Sequence, residues 1–165
     1  MEGSIICNLQ MKQIVNSYSD RAPFLWNGGA VESVLRESIA ALKVNCHEKN
    51  IWLSEGNDRR SYEQIMERYR TLTDYEWNTF EIYFGKKTVR KRYREAVLSV
   101  VSVFSRLKKW YFPQLPICLY VGVQKGKFQS VTVRFHIMRE EGYYLEENLD
   151  NYANDAILRC FFPST

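Results

Sequence analysis

Apolar residues recur along this chain with two different spacings, and each spacing predicts a different kind of element. Recurrence every three or four residues predicts amphipathic helices. It occurs over residues 30–42, 61–70 and 88–111, and Ser61 with Gln64 fits a capping box at the start of the second helix. The third helix is the longest, and Pro113 ends it.

Strict alternation of apolar and polar residues predicts half-buried strands elsewhere. The alternating segments are 77–84, 117–123 and 131–138, and residues 156–162 are predicted as a last strand after a long polar connection. The sequence QKGKFQS between the second and third predicts a hairpin. Residues 5–18 fit a strand or a short helix, residues 44–54 fit a hairpin or an extended edge, and residues 22–29 predict a loop.

These segments predict one α+β domain over residues 1–165, an antiparallel sheet with helices packed on one face. A length of 165 residues, 45% of them hydrophobic, is enough for one buried core. The strand residues expected to face the long helix are Phe80, Ile82, Phe84, Leu119, Val121, Val133, Phe135 and Ile137. The opposite sheet face is expected to carry Glu81, Tyr83, Tyr120, Thr132, Arg134, His136 and Arg159. If left uncovered, this mixed aromatic and charged face would be a docking platform; the alternative is an ordinary solvated face.

Composition excludes several functional classes. The net charge of +4, from 23 basic and 19 acidic residues, is too mild for an obligate nucleic-acid binder. The four cysteines form no CxxC pair, so we expect no metal site and no cofactor. The N-terminal sequence has no basic region followed by an apolar core, and no segment is apolar enough to span a membrane. We therefore expect a reducing, cytoplasmic location and no membrane partner.

Positive charge is concentrated between Lys86 and Arg94, at the predicted first turns of the long helix. A helix N-terminus carries partial positive charge, so cations there are unfavourable unless an anion lies nearby. The candidate anion-binding residues are Lys86, Lys87, Arg90, Lys91 and Arg94, which Arg106, Lys108 and Lys109 could extend along the helix. This pattern supports a nucleic-acid-binding protein as the alternative function.

Negative charge is concentrated between Glu140 and Asp155, where six acids and three tyrosines occur without a base. Carboxylates and tyrosines suit a basic protein partner, because tyrosine supplies rigid contact area and carboxylates speed encounter. The expected partner-binding residues are Tyr143, Tyr144, Glu146, Glu147, Asp150 and Tyr152, with Tyr83, Tyr120, Arg134 and His136 from the open sheet face. The alternative is that this segment pairs with the basic cluster of the same chain.

The second sheet face offers one candidate set of catalytic residues. One hypothesis is a metal-free ribonuclease in which Glu81 is the base, His136 the acid, and Arg134 holds the scissile phosphate. The simpler alternative is a structural pair of Glu81 with Arg134 across two strands. We therefore expect no enzymatic activity and rank the ribonuclease third.

The C-terminal pattern resembles a known class of proteins. Tyr144-Leu145, Leu149 and Tyr152 followed by the short strand 156–162 are similar to the ending of several small bacterial immunity proteins, which neutralise polymorphic or contact-dependent toxins. Those proteins often have Trp at the position of Tyr144 and Pro just before the strand. The resemblance implies a cytoplasmic, non-enzymatic protein that binds and blocks one cognate protein toxin.

Overall fold

A computed structural model describes residues 3–17, 28–127, 129–152 and 154–165 as a single α+β domain. The strands are β1 (Ser4–Cys7), β2 (Leu42–His47), β3 (Asn50–Glu55), β4 (Glu81–Phe84), β5 (Ile117–Gln124), β6 (Ser130–Ile137) and β7 (Ala156–Phe162). The helices are α1 (Leu9–Val15), α2 (Gly28–Ala40), α3 (Tyr62–Arg68), α4 (Leu72–Thr79), α5 (Lys86–Val89) and α6 (Tyr93–Tyr111). A short 3-10 turn covers Leu149–Asn151.

The main sheet has five antiparallel strands in the order β1-β7-β5-β6-β4, and β2 and β3 form a separate two-stranded hairpin. The C-terminal strand β7 therefore lies inside the sheet, between β1 and β5. This topology confirms the predicted antiparallel α+β fold, and the β2–β3 hairpin resolves the alternative left open for residues 44–54.

The predicted core face is also confirmed. Leu119 pairs with Phe135 on one side and Cys160 on the other, and all three side chains are buried in the main core. Every strand residue expected to face the long helix belongs to this core. Helix α6 contributes Val97, Val100 and Phe104 to it, while α1 and α2 contribute Met11 and Leu35. The apolar residues that alternate along the strands and those at helical spacing along the helices thus pack together in one core.

The strand predicted over residues 77–84 is shorter than expected. Thr71 accepts a hydrogen bond from the Asp74 amide and caps α4, so residues 72–79 are helical and only Glu81–Phe84 is a strand. Leu72, Tyr75 and Glu76 are buried at helical spacing. This correction moves Trp77 from a strand to a helix that ends against the sheet.

The long helix is also interrupted where the basic residues lie. Residues 86–89 form the single turn α5, after which Arg90 and Lys91 have φ angles of 47° and 62°. Two successive residues with left-handed backbone cannot continue an α-helix, so α6 begins only at Tyr93. Lys86, Lys87, Arg90 and Lys91 thus form a corner before α6, which corrects the prediction that they occupy its first turns, whereas Arg94 does lie in the first turn of α6.

The remaining predicted elements differ mainly at their ends. Helix α3 has the predicted capping box between Ser61 and Gln64. Of residues 5–18, which fitted either element, residues 5–7 belong to β1 and residues 9–15 form α1, while residue 18 lies outside the described residues. Of the loop predicted over 22–29, residues 22–27 lie outside the described residues, and Gly28 already begins α2.

A buried carboxylate joins the β2–β3 hairpin to the main sheet. Glu76 of α4 is fully buried, and its oxygens accept hydrogen bonds of 2.8 Å from the Leu53 amide of β3 and from the Ile137 amide of β6. Arg139 donates to both oxygens, at 2.9 and 2.8 Å. Burial raises the pKa of the Glu76 carboxyl, and the charge and hydrogen bonds of Arg139 oppose that rise.

Because this carboxylate is buried, we predict a large loss of stability in Arg139→Met. Removing one partner of a buried ion pair leaves the other charge uncompensated and costs about 3 kcal/mol. Urea denaturation at pH 7 is the measurement. Glu76→Gln in the Arg139→Met background is expected to recover part of the loss, because it removes the buried charge.

The matched control is Arg36→Met. It breaks an ion pair with Glu32 of the same 2.8 Å length, but on the exposed surface. A much smaller effect is expected there. Equal effects of the two variants would contradict the structural role of the Glu76–Arg139 pair.

Candidate functional site

The connection from β6 to β7 crosses the sheet face opposite α6. We call residues 138–155 the strap. Arg159 of β7, 2% exposed, holds it from below: its guanidinium donates to the carbonyl oxygens of Glu146 and Glu147, each at 3.3 Å. The guanidinium carbon also lies 3.6 Å from the centre of the Tyr143 ring. A buried cation therefore fixes the strap to the sheet.

Aromatic stacking attaches the strap to α4 as well. The Tyr144 ring stacks on the Trp77 ring with centroids 4.1 Å apart, and Trp77 meets Tyr120 of β5 edge to face. The Arg134 guanidinium lies 5.3 Å from the centre of the Trp77 ring, and Arg134 donates to the Trp77 carbonyl. Leu149 of the strap is buried. The strap is thus packed against the sheet and α4 at Tyr143, Tyr144 and Leu149.

The strap covers part of the second sheet face, which was expected to be a docking platform if left uncovered and an ordinary solvated face otherwise. The strand residues predicted for that face do lie on it, as the register of β4, β5, β6 and β7 requires. However, Tyr120 is only 3% exposed and His136 is completely buried. His136 therefore offers no surface to a partner in this structure, and Tyr120 offers only the small area by which it lines a cleft on this face, whereas Tyr83 at the β4 edge is exposed.

The carboxylates of the strap point to solvent. All six acids between Glu140 and Asp155 are exposed. Three of them accept hydrogen bonds within the chain: Glu141 from the Thr73 hydroxyl, Glu146 from the Asn151 amide, and Asp150 from the Leu9 backbone amide. Over the described parts of the chain, no salt bridge reaches any of the six. The strap is therefore an exposed acidic surface that still includes half-buried or exposed tyrosines.

A cleft of about 460 Å³ opens beside the strap on the same sheet face. Its walls are aromatic and aliphatic, and its edge carries a few polar groups. The lining residues are Trp77, Tyr120, Gly122, Val123, Gln124, Thr132, Arg134, Leu145, Tyr152, Asp155, Ala156 and Ile157. Its volume lies within the range of roughly 300–1,000 Å³ of ordinary ligand sites.

The ribonuclease hypothesis requires a free Glu81, a free Arg134 and an accessible His136. Glu81 and Arg134 face each other across β4 and β6 and form a salt bridge. His136 is buried, and its Nδ1 lies 2.8 Å from the Ile137 carbonyl oxygen, so the proton resides on Nδ1. Burial lowers the pKa of His136 to about 4. A buried imidazole with so low a pKa is a poor general acid at neutral pH.

The register also places Cys118 opposite His136 on the second sheet face. Both side chains are completely buried. Burial raises the pKa of the Cys118 thiol to about 11 while it lowers that of His136. A nucleophilic cysteine needs the opposite shifts and access to substrate, so this pair behaves as packing within the sheet.

The basic corner contains four exposed cations, Lys86, Lys87, Arg90 and Lys91. The other expected anion-binding residue, Arg94, is half-buried and donates to the Val15 carbonyl at 2.9 Å. No salt bridge joins the corner to the strap within the residues that the structure describes. The alternative of an internal pairing between these two segments of opposite charge is therefore absent from the described contacts.

Arg106 and Lys108, which could have extended the basic surface along the helix, do not extend the basic corner. Lys108 is buried, and its ammonium donates to the carbonyls of Pro113 and Pro163 at the C-terminal end of α6. Arg106 pairs with Glu32 of α2 at 3.2 Å. Both side chains have structural partners, which leaves the corner as the compact basic feature.

Among the residues described, no group of three or more histidine, cysteine, aspartate or glutamate side chains has the arrangement of a metal site. In the same set, every helix is too short or too polar to cross a membrane.

The sequence analysis did not single out Trp77 and Gly122, which line the cleft, and it named Leu145 only within the C-terminal pattern. Trp77 was missed because its helix was read as a strand. Gly122 had a usable signal, since a glycine inside the alternating strand ICLYVGVQ indicates a bulge or a close approach. Arg159 was placed on the second face, but nothing in the local sequence shows that it binds strap carbonyls.

Comparisons of the chain with protein-family models, curated proteins and solved structures found no match.

The buried imidazole predicts a specific pH dependence of stability. Because the folded pKa of His136 lies near 4 and the ordinary value is 6.5, the unfolded chain binds a proton that the folded chain excludes between these values. The contribution of His136 to the free energy of unfolding should fall by about 3 kcal/mol as pH drops through this window. His136→Phe lacks this contribution. The free energy of unfolding of the wild type minus that of the variant, measured by urea denaturation at several pH values, should therefore shrink towards pH 4.

His47→Phe is the matched control, because His47 is exposed in the β2–β3 hairpin. At pH 7 it is expected to change the free energy of unfolding far less than His136→Phe does. An unaltered slope in His136→Phe would contradict the assignment of a buried neutral imidazole.

Proposed function

We propose that this chain is a binding protein that neutralises a cognate protein toxin by direct contact. The observation that carries the proposal is the strap: six exposed carboxylates that form no salt bridge with any described residue, on a backbone that Arg159 fixes in place. Such a surface is complementary to a basic protein. A toxin that acts on nucleic acid is one such partner, because it must be basic to hold its substrate.

The preorganised form of the strap supports binding by contact. Tyr144 is partly exposed although it stacks on Trp77, and Tyr83 stands exposed at the neighbouring edge strand. Aromatic side chains held in one rotamer lose little entropy on association. Acidic and aromatic residues on one fixed surface are therefore suited to steer a basic partner and to contact it.

The resemblance to small immunity proteins supports the same proposal. Its pattern coincides with residues that shape the strap: Tyr144 stacks on α4, Leu149 is buried, and the Tyr152 hydroxyl accepts a hydrogen bond from the Glu146 amide. The pattern thus describes how the chain crosses the sheet and enters β7. On this proposal, the partner contacts the exposed acids between the pattern residues.

The test is complex formation with a toxin encoded by the adjacent upstream gene. We expect a one-to-one complex in size-exclusion chromatography and protection of cells from that toxin. Glu140→Lys combined with Glu147→Lys should weaken the complex at least about tenfold, chiefly by slowing association. Neither carboxylate makes a side-chain hydrogen bond or salt bridge in the described contacts, so the fold should be retained.

The matched control is Glu48→Lys combined with Glu67→Lys, which makes the same change of charge at exposed sites on the β2–β3 hairpin and α3. This variant should bind the toxin as the wild type does. Equal weakening by both pairs would show a general charge effect, and absence of any complex with the neighbouring product would count against the proposed function.

Nucleic-acid binding is the second candidate, because one specific observation favours it. Arg90 and Lys91 are adjacent basic residues with positive φ, and both are exposed beside Lys86 and Lys87. Left-handed backbone at non-glycine residues is strained and is concentrated at functional sites. A phosphate backbone is the anion that such a corner fits best.

This candidate predicts an affinity for a generic oligonucleotide that falls steeply with salt. Fluorescence anisotropy would measure it, and Lys87→Ala with Arg90→Ala and Lys91→Ala should abolish it. Lys43→Ala with Lys49→Ala, at exposed hairpin positions, is the control and should change little. A lack of oligonucleotide binding at low salt would rule the candidate out.

A further inference from the structure

Gly122 occupies an unusual position in the sheet. It lies within β5, the central strand, between Thr132 of β6 and Ile157 of β7. A Cβ atom built at Gly122 would meet no heavy atom within 4 Å, and its φ is not in the left-handed region. Glycine in a strand interior is unfavourable because it adds backbone entropy and packs nothing. The fold itself therefore does not require glycine at this position.

The missing side chain instead creates space. Gly122 forms part of the floor of the cleft, and the rings of Trp77, Tyr120 and Tyr152 form parts of its walls. Any larger residue at Gly122 would project into this volume, because the alternation of β5 directs position 122 away from the core. The structure thus keeps an aromatic-walled cleft open next to the acidic strap.

The electrostatics of the cleft favour a cation. Asp155 lines it, is exposed, and makes no salt bridge within the described contacts. Arg134 also lines the cleft, but its charge is compensated by Glu81 and by the Trp77 carbonyl. The exposed carboxylates of the strap add further negative potential on the same side of the sheet.

We propose that this cleft receives an arginine side chain of the basic partner, an inference that rests on the proposed function and names the chemistry of its central contact. A planar guanidinium stacks on aromatic rings and pairs with a carboxylate through a fixed fork of donors. Lysine lacks both the plane and the fork, and an apolar side chain would leave Asp155 unpaired. The aromatic walls and Asp155 together select arginine.

The test uses the isolated chain and a small probe, so it does not depend on finding the toxin. Capped arginine, N-acetyl-arginine amide, is titrated while the Trp77 indole and Gly122 amide resonances are followed by NMR. The same titration is made with the capped lysine and capped norleucine analogues. We expect saturable shifts with arginine, and shifts with lysine and norleucine that are at least several-fold weaker.

Filling the cleft should abolish the effect. In Gly122→Leu the arginine affinity should fall at least about tenfold, whereas Gly122→Ala should retain most of it and Asp155→Asn should weaken it. Thermal melting monitors the fold, and Thr132→Leu fills the same cleft from β6 if Gly122→Leu does not fold.

Three results would overturn the inference. They are no shift with arginine at any concentration, equal shifts with norleucine, and unchanged arginine binding in both cleft-filling variants. Arginine binding without a toxin complex would instead retain the cleft assignment and count against the proposed function alone.

Discussion

One buried guanidinium, that of Arg159, holds the strap on the second face of the sheet. Arg159 lies in β7, an interior strand of the sheet, and its side chain lies under the strap and is 2% exposed. A buried charge is costly unless its donors are satisfied. Arg159 meets this requirement with two strap carbonyls and the Tyr143 ring. The strap carbonyls therefore accept hydrogen bonds from a buried side chain of the sheet. The same bonds fix the strap to the sheet.

The strap contains two kinds of residue: those that hold its backbone in place and those that remain exposed. Tyr143, Leu149 and Tyr152 make the contacts that hold the strap, while the carboxylates between them remain exposed. The backbone is ordered by internal contacts before any partner arrives, which reduces the entropy lost on association. The cleft results from the same arrangement, because strap residues form one wall and the strand glycine forms part of the floor.

The fold was largely predictable because its signals are local. Alternation in β4, β5 and β6 and the spacing in α6 predicted the core face correctly. Two errors came from tertiary or backbone effects that a hydrophobic pattern does not contain: the Thr71 cap that makes residues 72–79 helical, and the left-handed backbone at Arg90 and Lys91. The candidate site was harder to predict, since burial of Tyr120 and His136 depends on where the strap crosses the sheet. Contacts such as Trp77 with Tyr144, 67 positions apart, leave no trace in local spacing.

The central claim is that a partner docks on the strap and the adjacent cleft. Hydrogen exchange of the backbone amides, compared between the free chain and its complex with the toxin, tests this claim most directly. The account predicts slower exchange upon binding over residues 140–152 and around Gly122 in β5, with little change in α5 and the basic corner. Protection confined to residues 86–94, or to the exposed β1 edge, would contradict it.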